Sequence, residues 1–150
     1  MARVELSIAR MRVMEEELVL HLFQAAGMEA RGANGAFFQD EDNILLVASV
    51  EGQPAGFLYA YVLEAPHLPQ PKMFLYSIDV FPDFQGRGVG TALIEKLKGM
   101  ALARGCSEIF VLTNASNSAA NRLYQKTGGI RENPDDVMYV YLLQQEPLLD

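Results

Sequence analysis

Tryptophan is absent, histidine occurs twice and cysteine once in these 150 residues. A single thiol forbids an intramolecular disulfide. Cys106, His21 and His67 are too widely spaced to form an H-E-x-x-H or Cys/His ligand set, so no metal is expected. Cysteine 106 is expected as a small buried thiol where a helix hands over to a strand. Cations are also sparse: 12 Lys and Arg against 19 Asp and Glu leave a formal charge of −7. That balance opposes nucleic acid, which is bound through basic patches that neutralise phosphate, and it permits a cationic partner. Long apolar runs are missing too. Met1 to Met14 carries Arg3, Arg10 and Arg12, the pattern of neither a signal peptide nor a membrane span, so a cytoplasmic protein with no membrane partner is expected.

What is abundant is hydrophobic residues, 50% of the chain, enough to build a sizeable core in one domain over 1–150. A first strand is expected over Arg3–Ile8, and the apolar spacing from Leu6 to Ala26 suits one or two helices. Ala30 to Asp42, rich in Gly, Asn and acids, reads as a loop with at most a short helix. Ile44–Val50 and Gly56–Leu63 form a hairpin. A proline-rich connection, Ala65 to Pro71, then leads to a third long strand, Met73–Val80. A helix from about Val89 to Gly105 carries Leu93, Ile94, Leu97 and Ala101 at helical spacing. The strand after it, Glu108–Thr113, should lie parallel to Met73–Val80, because a strand–helix–strand crossover demands it. A second helix over Ser118–Thr127 and a last strand over Val137–Leu143 complete the order, and the tail after that should fray.

Between Met73–Val80 and the following helix lies Gln85-Gly86-Arg87-Gly88-Val89-Gly90. Glycines permit a tight turn and close approach of a ligand, and a helix start offers unpaired N–H groups and a positive dipole end. This is an anion cradle. The dinucleotide fingerprint would need glycine in place of Thr91, and the phosphate loop would need a lysine the segment lacks. Downstream, Asn117 to Gly129 reads N-S-A-A-N-R-L-Y-Q-K-T-G-G.

These two stretches resemble the acetyl-CoA loop, Q/R-x-x-G-x-G/A, and the second signature, N-x-x-A-x-x-L-Y-x-x-x-G-F, of the GNAT superfamily of N-acetyltransferases. Gly129 alone departs, where the pattern has Phe. The resemblance covers roughly Ile44 to Leu143. It implies an α/β fold: a mixed, mostly antiparallel central sheet with a splayed parallel strand pair and flanking helices. It also implies acetyl-CoA as acetyl donor, an amine as partner, and an enzyme.

The pyrophosphate would be held by backbone amides of Gly86, Gly88, Val89, Gly90 and Thr91, with Arg87 or Gln85 adding a side-chain contact. Arg87 reads equally well as a solvated loop charge. The resemblance further implies that backbone groups of Ile78, Asp79 and Val80 bond the pantetheine arm, Asn117 meets the arm, Ala120 makes room, and Tyr124 gives a proton to the departing sulfur. Each has a plainer reading: Tyr124 as core, Asn117 as a helix cap. For the base, strand alternation puts Ser77 and Asp79 on one face, opposite Tyr76, Ile78 and Val80, so Asp79 could take a proton directly or through water. It could equally be a structural acid. Some superfamily members use a glutamate earlier in this strand, where Phe74 stands here.

Ala60–Leu63, the proline-rich link, Tyr76–Val80 and Asp135–Tyr139 look like the aminoglycoside 3-N-acetyltransferase type. Asp135, Asp136, Asp79 and Glu64 are then expected to form an acidic pocket for an aminoglycoside- or polyamine-like acceptor. Where drug-modifying members of that type carry an acid two residues before Asp79, this chain has Ser77. The alternatives are a protein N-terminal or lysine acetyltransferase and a non-catalytic acetyl-CoA-binding module. A homodimer is left open.

Overall fold

The computed structural model describes residues 5–143. Five strands form one sheet in chain order, β1 (Leu6–Arg10), β2 (Asn43–Val50), β3 (Gln53–Ala65), β4 (Leu68–Val80) and β5 (Ile109–Val111). The first four are antiparallel, and β5 runs parallel to β4. The mixed sheet with its parallel pair is therefore as expected. Four helices flank it: α1 (Glu16–Ala25), α2 (Gly35–Gln39), α3 (Val89–Arg104) and α4 (Ser118–Lys126). None of the described helices is long and apolar enough to cross a membrane.

Each face of the sheet buries its own cluster. On one, Val89, Leu93, Leu97 and Ala101 of α3 pack on Leu46, Leu58, Ala60, Met73 and Leu75, with Leu123 and Tyr124 of α4 at the margin. On the other, Leu22 of α1 meets Leu45, Val47, Phe57 and Phe81. Such inside-out alternation along β2 and β3 is the period-2 pattern of a sheet covered on both faces.

Four expectations change. The first strand is Leu6–Arg10 rather than Arg3–Ile8, with residues 1–4 outside the described part; the one helix that follows it, α1, is within the one or two expected. The proline-rich segment is an arm of a long hairpin, Ala65 pairing with Leu68, because Pro69 and Pro71 sit in the first residues of β4, where few ladder donors are needed. β5 is three residues long rather than six, for a reason given below. Val137–Leu143 is not a strand: it is irregular, with side chains 67 to 91% exposed. Strand-forming residues make a strand only where a ladder partner satisfies their backbone groups, and this segment has none among the described residues.

Candidate active site

The glycine loop is pinned at its entrance. Phe81, buried, donates its N–H to Ala55 O at 2.9 Å, and a 3-10 turn over Pro82–Phe84 follows. The Gln85 side chain donates to Val80 O at 3.0 Å. It therefore braces the loop against β4 instead of reaching outward, as the sequence had suggested. Arg87 is exposed, its guanidinium 5.7 Å above the Phe84 ring, and forms no ion pair among the described residues. Gly86 and Gly88 have φ of +76° and +80°, which L side chains rarely adopt. Gly88 is the N-cap of α3 and supplies no side-chain cap, and the first helical bond is Ala92 N–H to Gly88 O. The amides of Val89, Gly90 and Thr91 are thereby left without intrahelical acceptors at the positive end of a 16-residue helix. An anion fits here.

β4 opens just before this loop. Its ladder to β5 runs Met73–Ile109, Phe74–Phe110 and Leu75–Val111, then stops. On the other side of β4, Tyr59 pairs with Ser77 while Ala60 pairs with Leu75, so Tyr76 is an extra, bulged residue. A bulge bends and overtwists its strand. The last rung to β5 is the residue before it, which explains both the short β5 and the unpaired outer edge of Ser77–Val80. Phe81 N–H points to β3, so by alternation the N–H and C=O of Ile78 lie on this outer edge, whereas Val80 O is taken by Gln85 and Val80 N–H by the Asp79 carboxyl.

The same bulge corrects the assignment of faces. Asp79 pairs with Phe57 and Ser77 with Tyr59, so the two share one face as expected, and that face is the one α1 covers. Ile78 and Val80 face α3. Tyr76, however, stacks on Tyr59 and so shares the face of Ser77 and Asp79. The signal was present in the spacing: apolar residues facing α3 fall at 73, 75, 78 and 80, a break in strict alternation. Gly56, which sequence reasoning passed over, makes this register possible, since a Cβ there would lie 2.5 Å from Asp79 O.

Asp79 is half-buried, and burial pushes its carboxyl above the ordinary range, opposed in part by a hydrogen bond from Val80 N–H. A carboxylate whose pKa is raised is the stronger proton acceptor once ionised.

On α4, Asn117 Oδ1 accepts from Ala120 N–H at 3.1 Å, so its cap role is real. Asn121, also missed from sequence, donates to Asn114 O at 3.0 Å and Asn117 O at 2.7 Å, fixing the approach to the helix. At the other end Lys98 of α3 bonds Thr127 O, and Thr127 Oγ1 donates to Leu123 O at 2.8 Å. Thus strapped, α4 holds Tyr124 half-buried against the α3-side cluster, on the wall of a cavity of about 350 Å³ that Leu75 and Val111, the last rung between the two strands, also line. Burial pushes the Tyr124 hydroxyl up, so it keeps its proton at neutral pH. Leu123 sits against the start of α3: a Cβ on Gly90 would come 3.1 Å from its methyl.

Cys106 follows α3 as expected but is half-buried, lining the same cavity. The acidic pocket is not assembled. Glu64 bonds Arg104 at 3.2 Å, and Asp135 and Asp136 lie in a wholly exposed segment with only local hydrogen bonds to Asn133. Among the described residues no group of three His, Cys, Asp or Glu is placed to hold a metal ion.

The model of the acetyltransferase (GNAT) family matches residues 10–129. An acetyltransferase of Pectobacterium atrosepticum is 41% identical over 86 residues, 57% of this chain and 57% of that one. The chain spans about half the length of the curated relatives it matches. Among solved structures, an aminoglycoside acetyltransferase from an uncultured soil metagenomic sample has a TM-score of 0.80 at 28% identity, covering 94% of this chain and 99% of that one. The ribosomal-protein-alanine N-acetyltransferase of Brucella melitensis has a TM-score of 0.73 at 25% identity, covering 92% and 99%.

Proposed function

This chain belongs to the acetyltransferase (GNAT) family and has its mixed α/β fold, and from that premise we propose that it is an acetyl-CoA-dependent N-acetyltransferase acting on a small primary amine by direct attack in a ternary complex. The observation that carries the reading is the parting of β4 from β5 at Leu75–Val111, with the uncapped start of α3 at one end of the gap and Tyr124 beside it. Acetyl-CoA supplies the acyl carbon and a thiolate leaving group. The amides of Gly86 to Thr91 hold its pyrophosphate, and the open edge of Ile78–Val80 pairs with its peptide-like arm as an added strand would.

Asp79 and Tyr124 lie on opposite faces of β4, so a thioester in the gap is reached by a base from one side and an acid from the other. The ammonium first loses one proton to solvent, giving the neutral amine; as its nitrogen bonds the acyl carbon and the C–S bond breaks, the second proton passes to Asp79, directly or through water. Tyr124 then protonates the thiolate. Ser77 borders the acceptor side, beside Tyr59.

The acceptor is a small cationic amine; aminoglycoside- and polyamine-like molecules are the classes the sequence resemblance implies. The 3-N type rests on the sequence resemblance, and product regiochemistry tests it. Likeness to a ribosomal-protein-alanine N-acetyltransferase favours a second reading, acetylation of protein N-termini. Purified protein is to be given acetyl-CoA with a panel of amines and N-terminal peptides, reading thiol release and product mass. Transfer to small amines supports the first reading, transfer to peptides alone the second, and binding of acetyl-CoA with no transfer to anything refutes both.

A further inference from the structure

Six aromatic rings form an unbroken row on the sheet face that carries Asp79. Phe110 of β5 stacks on Phe74 of β4, with centroids 4.6 Å apart and planes 8° from parallel. Phe74 meets Tyr76 at 5.4 Å, and Tyr76 stacks on Tyr59 at 5.1 Å. Tyr61 stands edge-on to Tyr59 and Tyr76, each at 6.0 Å. Phe37 of α2 closes the row, edge-on to Tyr61 at 5.9 Å.

Elsewhere on this face aromatic residues are covered. Phe57 is 0% exposed beneath Phe23 of α1, whose ring lies 4.6 Å away. Tyr76 is 55% exposed, and Phe74, Tyr59, Tyr61 and Phe110 are only half-buried, because α2 is five residues long and reaches no further than Phe37. A continuous aromatic surface left against water marks a binding surface.

Its charges are as telling as its rings. Lys72 and Glu108 neutralise one another at 3.4 Å beyond Phe74. Glu64 is engaged by Arg104. Among the described residues Asp79 forms no ion pair, and it lies two residues along β4 from Ser77, the cross-strand partner of Tyr59, a step of about 7 Å. Burial and the neighbouring Tyr61 and Tyr76 push the Tyr59 hydroxyl up to about 12, and burial raises Tyr61 as well, so both are neutral polar tips.

We propose that this row is the acceptor platform, and that it selects an amine bearing one positive charge on an aromatic or planar apolar body, an arylalkylamine in class, over polycations. The inference rests on the acetyl-transfer reading of the same cleft. One carboxylate meets one ammonium, while ring faces take the apolar body by stacking and the ammonium flank by cation–π attraction. A polyamine or aminoglycoside would leave its remaining charges over rings, since the strands that carry the row, β3 to β5, offer no second carboxylate free of a cation.

Phenethylamine, spermidine and kanamycin are to be compared as acceptors at saturating acetyl-CoA, with wild type, Tyr76→Ala and Tyr76→Phe. Tyr76 is exposed enough for both variants to fold. Phenethylamine should have the highest kcat/KM, and Tyr76→Ala should raise its KM about tenfold or more, Tyr76→Phe restoring it, with the KM for acetyl-CoA unchanged. A preference for spermidine or kanamycin that Tyr76→Ala leaves untouched overturns the inference while acetyl transfer stands. So does a Tyr76→Ala variant altered in melting temperature or oligomeric state but not in acceptor KM, since the row is then a packing surface for another segment or a second copy. Absence of transfer to every amine removes the acetyl-transfer reading and this inference together.

Discussion

Replacing Gly88 with aspartate puts a carboxylate at the uncapped start of α3 without striking a neighbour, since a Cβ there meets nothing within 4 Å. The φ of +80° is the main cost to the fold. A non-glycine residue in that region loses about 1–2 kcal/mol, and aspartate tolerates it better than most. For a chain of this size the melting temperature should therefore fall by roughly 2–8 °C, leaving a folded protein at 25 °C. The effect on the anion is larger. A carboxylate about 5 Å from a phosphate charge, at an effective dielectric of about 20, is repelled by about 3 kcal/mol, which alone is more than 10²-fold in affinity. The new side chain also competes for the amides of Gly90 and Thr91 by capping them. Gly88→Ala carries the same backbone strain without the charge, so the ratio of the two variants isolates the electrostatic part. Titration calorimetry with CoA at low and high salt, alongside thermal melts, should show Asp far weaker than Ala and the gap narrowing as salt screens it. A folded Gly88→Asp variant that binds CoA like wild type would sink the anion-loop assignment.

Tyr124→Phe keeps the ring packed on the α3-side cluster but removes the proton, so turnover should fall by roughly 10²–10⁴-fold with CoA affinity unchanged; steady-state kinetics that match wild type return Tyr124 to a packing role. Asp79→Asn should abolish the acid limb of the kcat/KM profile, which in wild type lies above the ordinary carboxyl value of 3.8 because burial raises it. Its stability effect has the opposite sign. With the folded pKa raised, the contribution of protonated Asp79 is full below the ordinary value and lost as pH rises through the folded one, so ionised Asp79 is a cost at neutral pH. Asp79→Asn should melt higher than wild type at pH 7, with the gap closing in acid; equal melting curves across that range would deny the desolvation of Asp79.

Local chemistry in the chain was enough to specify the glycine loop, the helix it opens, the cap at Asn117 and the β4–α3–β5 crossover. Each depends on residues close in sequence: glycines where φ is positive, apolar side chains at helical spacing, an asparagine three residues before the amide it accepts from. Other features needed distant parts of the chain to meet. The bulge at Tyr76 exists because β3 and β4 pair out of step, under the constraint of Gly56 against Asp79 O, and it turns Tyr76 onto the acceptor face and ends the ladder to β5. Glu64 and Asp135 read as members of one acidic pocket because charge is visible in sequence, whereas partners are not: Arg104, forty residues on from Glu64, engages one, and the other remains in an exposed segment. Val137–Leu143 shows the same division. Its residues favour a strand, but a strand is a relation between two segments, and only the tertiary structure decides whether the second is there.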